Sequence, residues 1–296
     1  MARLISMVEE GGDPAREVGG AMFPRAGKAY TIGITGAPGA GKSTLTDRLI
    51  GRIRKEGDSV GVLAVDPTSP FSGGALLGDR VRMQDHATDH DVFIRSMATR
   101  GHLGGLALAT REAIRVLDAC GLPWVLVETV GVGQVEIEVA GASDTTVVVL
   151  TPGTGDSVQA SKAGLLEVAD LFVINKADRP GTQELERDLE FMLHLSDRDD
   201  WQPPIVRTVA AAGEGTDDVW SAILEHRRYL ERDGHLVERR KQRLRQEVAE
   251  IVARRLELRA ADACRGEAFE RLLADVTGHQ LDPYAAAADI VDALAG

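Results

Sequence analysis

The eight residues Gly36-Ala37-Pro38-Gly39-Ala40-Gly41-Lys42-Ser43 constrain this chain more than any other stretch. They follow an apolar, β-branched run at residues 31–35 and lead into helical spacing over residues 43–55. A GxxxxGK[ST] run between a strand and a helix reads as a phosphate-binding loop. Its glycines let backbone N–H groups close around a β-phosphate, and the helix that follows presents its positive end. Residues Gly36 to Ser43, with Thr44, are then expected to line the phosphates; Lys42 reaches the β- and γ-phosphates, and the Ser43 hydroxyl ligates Mg2+. The competing reading is an ordinary Gly-rich turn, and the strand and helix on either side weigh against it.

The rest of the first two thirds of the chain supports a sheet that can carry such a loop. Apolar runs at residues 60–65, 92–94, 124–127, 145–150, 171–174 and 205–209 alternate with helical patterns at 106–119, 135–142 and 183–195. Strict alternation predicts an α/β fold, a mostly parallel central sheet with helices on both faces, and ligands outside the carboxyl ends of the strands. With 296 residues, 44% of them hydrophobic, the chain can bury one large domain with an appendage. After Gly215 the pattern is helical: 216–232, then 236–261, then two shorter pieces divided by Gly278 and Pro283. We therefore expect an amino-terminal helical segment and linker (1–29), a P-loop domain (30–232) and a carboxy-terminal helical region (233–296) suited to dimerisation. Leu244, Val248, Ile251 and Leu258 place an apolar face on the long helix. Either the chain's own sheet domain or a second copy of the chain could cover it. The five basic residues between Glu238 and Arg245 read most simply as a solvated helix face.

Asn175-Lys176-Ala177-Asp178 follows the strand at 171–174, at the sheet edge where a nucleotide base would lie. A carboxylate only accepts hydrogen bonds, so Asp178 can take two from guanine, at N1–H and the exocyclic amine; adenine offers a lone pair at N1 and no amine there. Asn and Asp are also good helix caps, which is the bland reading of so short a motif. Val209 and Ala210, after the last strand, are expected against the same base, with Thr208 before them.

Asp66, Asp79 and Glu128 each stand in a loop or at a strand end on the same edge, where turn or cap residues also occur. Because Mg2+ keeps several waters and takes one or two carboxylates, these three acids are the expected layer around Ser43. Glu128 opens an ExxG segment whose Gly131 N–H could contact the γ-phosphate and report its loss. Lys42, Asp79, Glu128 and Gly131 are accordingly the residues expected to act in hydrolysis, and Gln134 is a further candidate for orienting water. Glycine pairs at 73–74 and 104–105, and glycines at 131, 133, 153 and 155, would supply hinges. The chemistry implied is GTP hydrolysis to GDP, with slow basal turnover.

A net charge of −12 argues against a general nucleic-acid or membrane-surface role. Two cysteines without metal-clip spacing suit a reducing compartment, and no apolar run reaches membrane-spanning length, so a cytoplasmic location is expected.

Several segments together resemble the MeaB/MMAA (ArgK-type) GTPases. They are Val65-Asp66-Pro67-Thr68-Ser69, the stretch from Gly73 through Asp79 to Met83, the stretch from Arg95 to Leu106, Glu128-Thr129-Val130-Gly131-Val132-Gly133-Gln134, the stretch from Pro152 through Asp156 to Lys162, and Asn175 to Asp178. The resemblance implies a guanine-nucleotide chaperone that gates cofactor delivery to an adenosylcobalamin-dependent acyl-CoA mutase and protects it. It also implies a homodimer joined by carboxy-terminal helices. By resemblance, Asp66, Asp79 and Glu128 match acids around Mg2+ in two switches, and Asp156 and Lys162 match a third switch that senses the mutase. The chain departs from the family in its short amino-terminal region and in Val209, where serine is common. Two other functions are compatible with such a chain: a GTPase inserting nickel or another metal, for which His86 and His90 offer i,i+4 spacing, and a kinase associated with amino-acid transport.

Overall fold

The computed structural model describes residues 1–66, 86, 88–98, 103–129, 141–153, 167–195 and 201–295. Among them, seven strands form one sheet: β1 (Tyr30–Gly36), β2 (Val60–Asp66), β3 (Val92–Ala98), β4 (Trp124–Thr129), β5 (Thr145–Leu150), β6 (Leu171–Asn175) and β7 (Ile205–Thr208). Their order is β3-β2-β4-β1-β5-β6-β7, and every pairing is parallel. Parallel strands need crossovers and are covered on both faces, so continuous β-branched runs such as Thr145 to Leu150 are buried along their whole length.

Alternation along each strand divides the core. Ile32, Ile34, Leu126, Val147 and Val149 pack against α3 (Lys42–Lys55) and α6 (Thr216–Glu231), through Leu45, Leu49, Ile53, Trp220 and Ile223. Val125 and Val127 point to the other face, which is covered by α4 (Leu103–Ala119) and by Ile5, Val8 and Val18 of the amino-terminal helices. On that face α5 (Thr182–Leu195) covers Val148, Leu150, Phe172 and Ile174 with Leu185, Leu189 and Leu193. Each fully buried aliphatic side chain of this kind contributes about 1.5–3 kcal/mol relative to exposure.

Three stretches differ from the sequence reading. After α1 (Ala2–Glu10), residues read as part of a Gly/Pro-containing linker form a second helix, α2 (Gly12–Met22). Pro14 lies in its first turn, where a missing N–H costs nothing, and Ala15 and Val18 are buried. Strand β3 runs on through Arg95 and Ser96 to Ala98; at the sheet edge it is only half-buried, so polar residues interrupt the pattern used to find it. Helix α4 begins at Leu103, so Gly104 and Gly105, expected as a hinge, are in its first turn.

Three aspartates fasten the amino ends of the strands. Asp118 accepts from the backbone N–H groups of Gly27, Lys28 and Ala29, Asp144 from Thr31 and Asp170 from Thr146. Asp170 also receives both arms of Arg239, at 2.9 and 2.7 Å, and faces His226 Nε2 at 3.5 Å. His226 Nδ1 is 2.8 Å from Thr145 Oγ1, which is 2.6 Å from the Tyr30 hydroxyl. Burial raises the Tyr30 phenol, keeping it a donor, so a neutral His226 with its proton on Nε2 satisfies every member of this row.

Burial pushes the His226 imidazole down from 6.5 to about 4, against the pull of Asp170 and with the help of Arg239. The unfolded chain therefore binds more protons than the folded one between about pH 4 and 6.5. Stability rises with pH across that window and is fully present above it. Urea unfolding should give a free energy about 2 kcal/mol lower at pH 5 than at pH 7 from this group. His226→Gln should flatten that slope, and an equal slope in the variant would reject the assignment.

Contacts divide the chain into two compact units, Met1–Arg239 and Arg240–Gly296. The second comprises the remainder of α7 (His235–Ala263) with α8 (Glu267–Thr277) and α9 (Pro283–Ala295). Within it Arg259 donates to the Leu294 carbonyl at 2.8 Å. Leu244, Val248, Val252, Leu256 and Leu258 of α7 are exposed, as are Leu273 of α8 and Val291 of α9. No helix among the described residues is long and apolar enough to cross a membrane.

Candidate functional site

The loop that leaves β1 lies between β4 and β5, at the carboxyl edge of the sheet. Its two end glycines have separate physical reasons. Gly36 has φ 137°, and a Cβ there would fall on the carbonyl oxygen of Val149 in β5. Gly41 has φ 91°, and a Cβ there would fall on Nδ2 of Asn175. The first glycine thus admits the neighbouring strand, and the last admits a side chain from a loop more than a hundred residues away. Gly41 caps α3, so the orphan N–H groups of the helix's first turn open into the loop.

Lys42 is buried, and its ammonium donates to the carbonyls of Gly36, at 2.5 Å, and Ala37, at 3.0 Å. Thr46 Oγ1 donates to the Lys42 carbonyl one turn on. Pro38, Gly39 and Thr44 are exposed, whereas Ala40 is buried. Ser43 Oγ donates to Glu128 Oε1 at 2.5 Å, and both residues are buried. A hydroxyl and a carboxylate oxygen held together beside the phosphate loop are hard donors of the type Mg2+ takes, so these residues fit that ion. Next to Glu128, Thr129 Oγ1 donates to Thr35 Oγ1 at 3.0 Å, tying β4 to β1. Asp66 closes β2 on the same edge, its backbone in register with Ala98. Asp79, Gly131, Gln134, Asp156 and Lys162 lie outside the described residues.

The second loop is bound to the first. Asn175 Nδ2 donates to the Ala40 carbonyl at 2.8 Å, and its Oδ1 accepts from Thr208 Oγ1 and from the Ala210 N–H, both at 3.1 Å. Lys176, at φ 58°, sends its ammonium to the Gly39 carbonyl at 2.7 Å. The Ala177 N–H reaches the Thr208 carbonyl, and Thr182 Oγ1 donates back to the carbonyls of Ala177 and Arg179. That leaves the Asp178 side chain exposed at the head of a fixed turn. Val209 is half-buried and Ala210 buried.

The structure therefore brings the phosphate loop, Ser43 with Glu128, the Asn175 loop and residues 208–210 to one edge. One contributor was missed in the sequence: Arg48 of α3 donates from Nε to the Ala210 carbonyl, at 3.0 Å, and from Nη2 to that of Ala211, at 2.8 Å. A single arginine on a helix face carries no motif that would have found it. His86, half of the pair considered for metal, instead has Nε2 3.3 Å from Asp47 Oδ1 on α3.

With this geometry the chain can be set beside known proteins. The family described as methylmalonyl Co-A mutase-associated GTPase MeaB matches residues 1–265. A Pyrococcus abyssi protein, provisionally named a GTPase, is 52% identical over 299 residues, spanning 100% of this chain and 92% of its own length. GTPase ArgK of Escherichia coli is 42% identical over 227 residues, 75% of this chain and 69% of that protein. The mitochondrial methylmalonic aciduria type A homolog of Mus musculus is 36% identical over 259 residues, 81% and 62% respectively. A crystal structure described as an LAO/AO transport system kinase superposes with a TM-score of 0.74 at 29% identity, covering 100% of this chain and 92% of the other. Hydrogenase maturation factor HypB from Archaeoglobus fulgidus, at 20% identity and a TM-score of 0.50 over 76% and 98%, shares the fold alone.

Proposed function

The chain belongs to the MeaB family of GTPases, and from that premise we propose that it hydrolyses GTP with Mg2+ and so gates an adenosylcobalamin-dependent acyl-CoA mutase. The observation that carries the hydrolytic reading is the convergence of Lys42, the Ser43–Glu128 pair and the Asn175 bridge on one sheet edge. In the proposed cycle the backbone N–H groups of residues 36–44, Pro38 excepted, wrap the phosphates. Lys42 exchanges the loop carbonyls of Gly36 and Ala37 for phosphate oxygens, which spreads the charge that develops on the γ-phosphoryl group. Ser43 and Glu128, with Asp66 and Asp79, would hold Mg2+, which supplies charge neutralisation at the β- and γ-oxygens. The Gly131 N–H would sense the γ-phosphate. Asn175, Lys176 and Asp178, with Val209 and Ala210, would take the guanine. Without a partner, turnover of roughly 10⁻⁴ to 10⁻² per second is expected, as in other GTPases that lack a stimulating group.

The names of the family and of the mouse relative support the mutase partner. The exposed apolar residues of α7 to α9 support a homodimer through residues 233–296, with the hydrolytic work done in 30–232. Both cysteines, Cys120 and Cys264, are free and exposed, which suits a reducing cytoplasm. The test is a reconstitution: purified chain, a cobalamin-dependent acyl-CoA mutase and adenosylcobalamin, with loading followed by cobalamin absorbance. Loading that differs between GTP and a non-hydrolysable analogue supports the proposal. Identical loading with and without the chain, for every such mutase tried, discards the chaperone role and leaves the GTPase.

A further inference from the structure

We propose that Arg48 is a positioning residue for guanine recognition, fixing the turn after β7 through two successive backbone carbonyls. The inference rests on reading residues 175–178 and 208–210 as the loops that meet the base. The turn they face has little side-chain mass to hold it. Ala211 and Ala212 are exposed, and its own hydrogen bonds run from the Ala212 N–H to the Val209 carbonyl, from the Gly213 N–H to the Ala210 carbonyl, and between Val209 and Glu214.

Two outside groups seize one residue of that turn, Ala210, through the peptide groups on either side of it. Asn175 Oδ1 takes the Ala210 N–H at 3.1 Å, and Arg48 Nε supplies a donor to the Ala210 carbonyl at 3.0 Å. The second arm of the guanidinium reaches the Ala211 carbonyl at 2.8 Å. A planar fork of fixed donors sets the relative tilt of two neighbouring carbonyls, which a flexible ammonium does not. Its helix, α3, is also the one that carries Lys42 and Ser43, six and five residues earlier, so Arg48 lies roughly 9 Å along the axis from Lys42. The bland account is a surface clamp that keeps α3 in place. Leu45, Leu49, Ile50 and Ile53 of that helix are fully buried, however, so its seating does not depend on an exposed arginine.

The experiment uses the full chain and three variants of one measurement: wild type, Arg48→Ala and Arg48→Lys. GDP dissociation is followed by stopped flow, GTP turnover gives KM and kcat, and inorganic pyrophosphate is used as a competitor that meets the phosphate loop without a base. Arg48→Ala should speed GDP release and raise the KM for GTP, each about tenfold, leaving kcat within about twofold and pyrophosphate affinity unchanged. Arg48→Lys should recover part of the loss, because an ammonium reaches one carbonyl at a time. Unchanged GDP release in Arg48→Ala overturns the proposal, and so does an equal weakening of GDP and pyrophosphate, which would mark damage to the phosphate loop. A wild-type chain that binds ADP as tightly as GDP would instead remove the guanine reading itself, whatever the variants do.

Discussion

Alanine in place of Lys42 should cut the rate of GTP hydrolysis by at least about 10²–10³-fold, the range seen when one preorganised donor to a transition-state oxygen is removed. The ammonium is buried at the mouth of the loop and already satisfied by the carbonyls of Gly36 and Ala37. Its transfer to phosphate therefore needs little rearrangement, and binding should weaken as well as turnover. Single-turnover release of phosphate separates the two, since saturating GTP restores occupancy without restoring the chemical step. The kinase reading would survive such a loss equally, so the assay must also follow label from the γ-phosphate into water. A turnover in Lys42→Ala within tenfold of wild type would contradict the role assigned to this side chain.

The second large effect concerns the base. Asp178→Asn should turn the preference from GTP toward xanthosine triphosphate, because an amide offers a donor where the carboxylate offers only acceptors, and xanthine carries a carbonyl in place of the guanine amine. Sites built to hydrogen-bond a specific group reject an analogue lacking it by about 10⁴-fold or more. The exposed carboxylate stands on a turn fixed by Thr182 and by the Ala177 N–H, so the substitution should change chemistry without moving the backbone. Competition binding of GTP, xanthosine triphosphate and ATP against labelled GDP measures it. Selectivity for GTP that persists in the variant would show that Asp178 does not read the base.

Much of the architecture was legible because it is written in residues with one physical use. Continuous β-branched runs such as Thr145 to Leu150 have no comfortable place except a strand buried on both faces, and the glycines at 36 and 41 stand where any side chain would collide. The less legible parts follow weaker rules. Helix α2 is disguised by Gly12, Pro14 and two further glycines, and only burial of Ala15 and Val18 reveals why it forms. The edge strand β3 shows no clean alternation through Arg95 and Ser96. At the site, the four residues from Asn175 were recognisable as a motif, but not that Asn175 spans three partners on two other loops. Arg48 was invisible for the complementary reason: its partners are carbonyls, which every residue has, so no second position in the chain betrays the pair.

Strand β6 is only five residues long, from Leu171 to Asn175, and its two ends are spoken for. Immediately before it Asp170 grips Arg239, in the opening turns of α7, and at its far end Asn175 ties the loop after β1 to residues 208–210. These two knots are about 17 Å apart along a backbone locked between β5 and β7. A strand so held cannot stretch or slide on its own. The root of the last long helix and the proposed seat of the purine are thus mounted on a common rod, and displacing either one requires breaking ladder bonds on both flanks or carrying the other along.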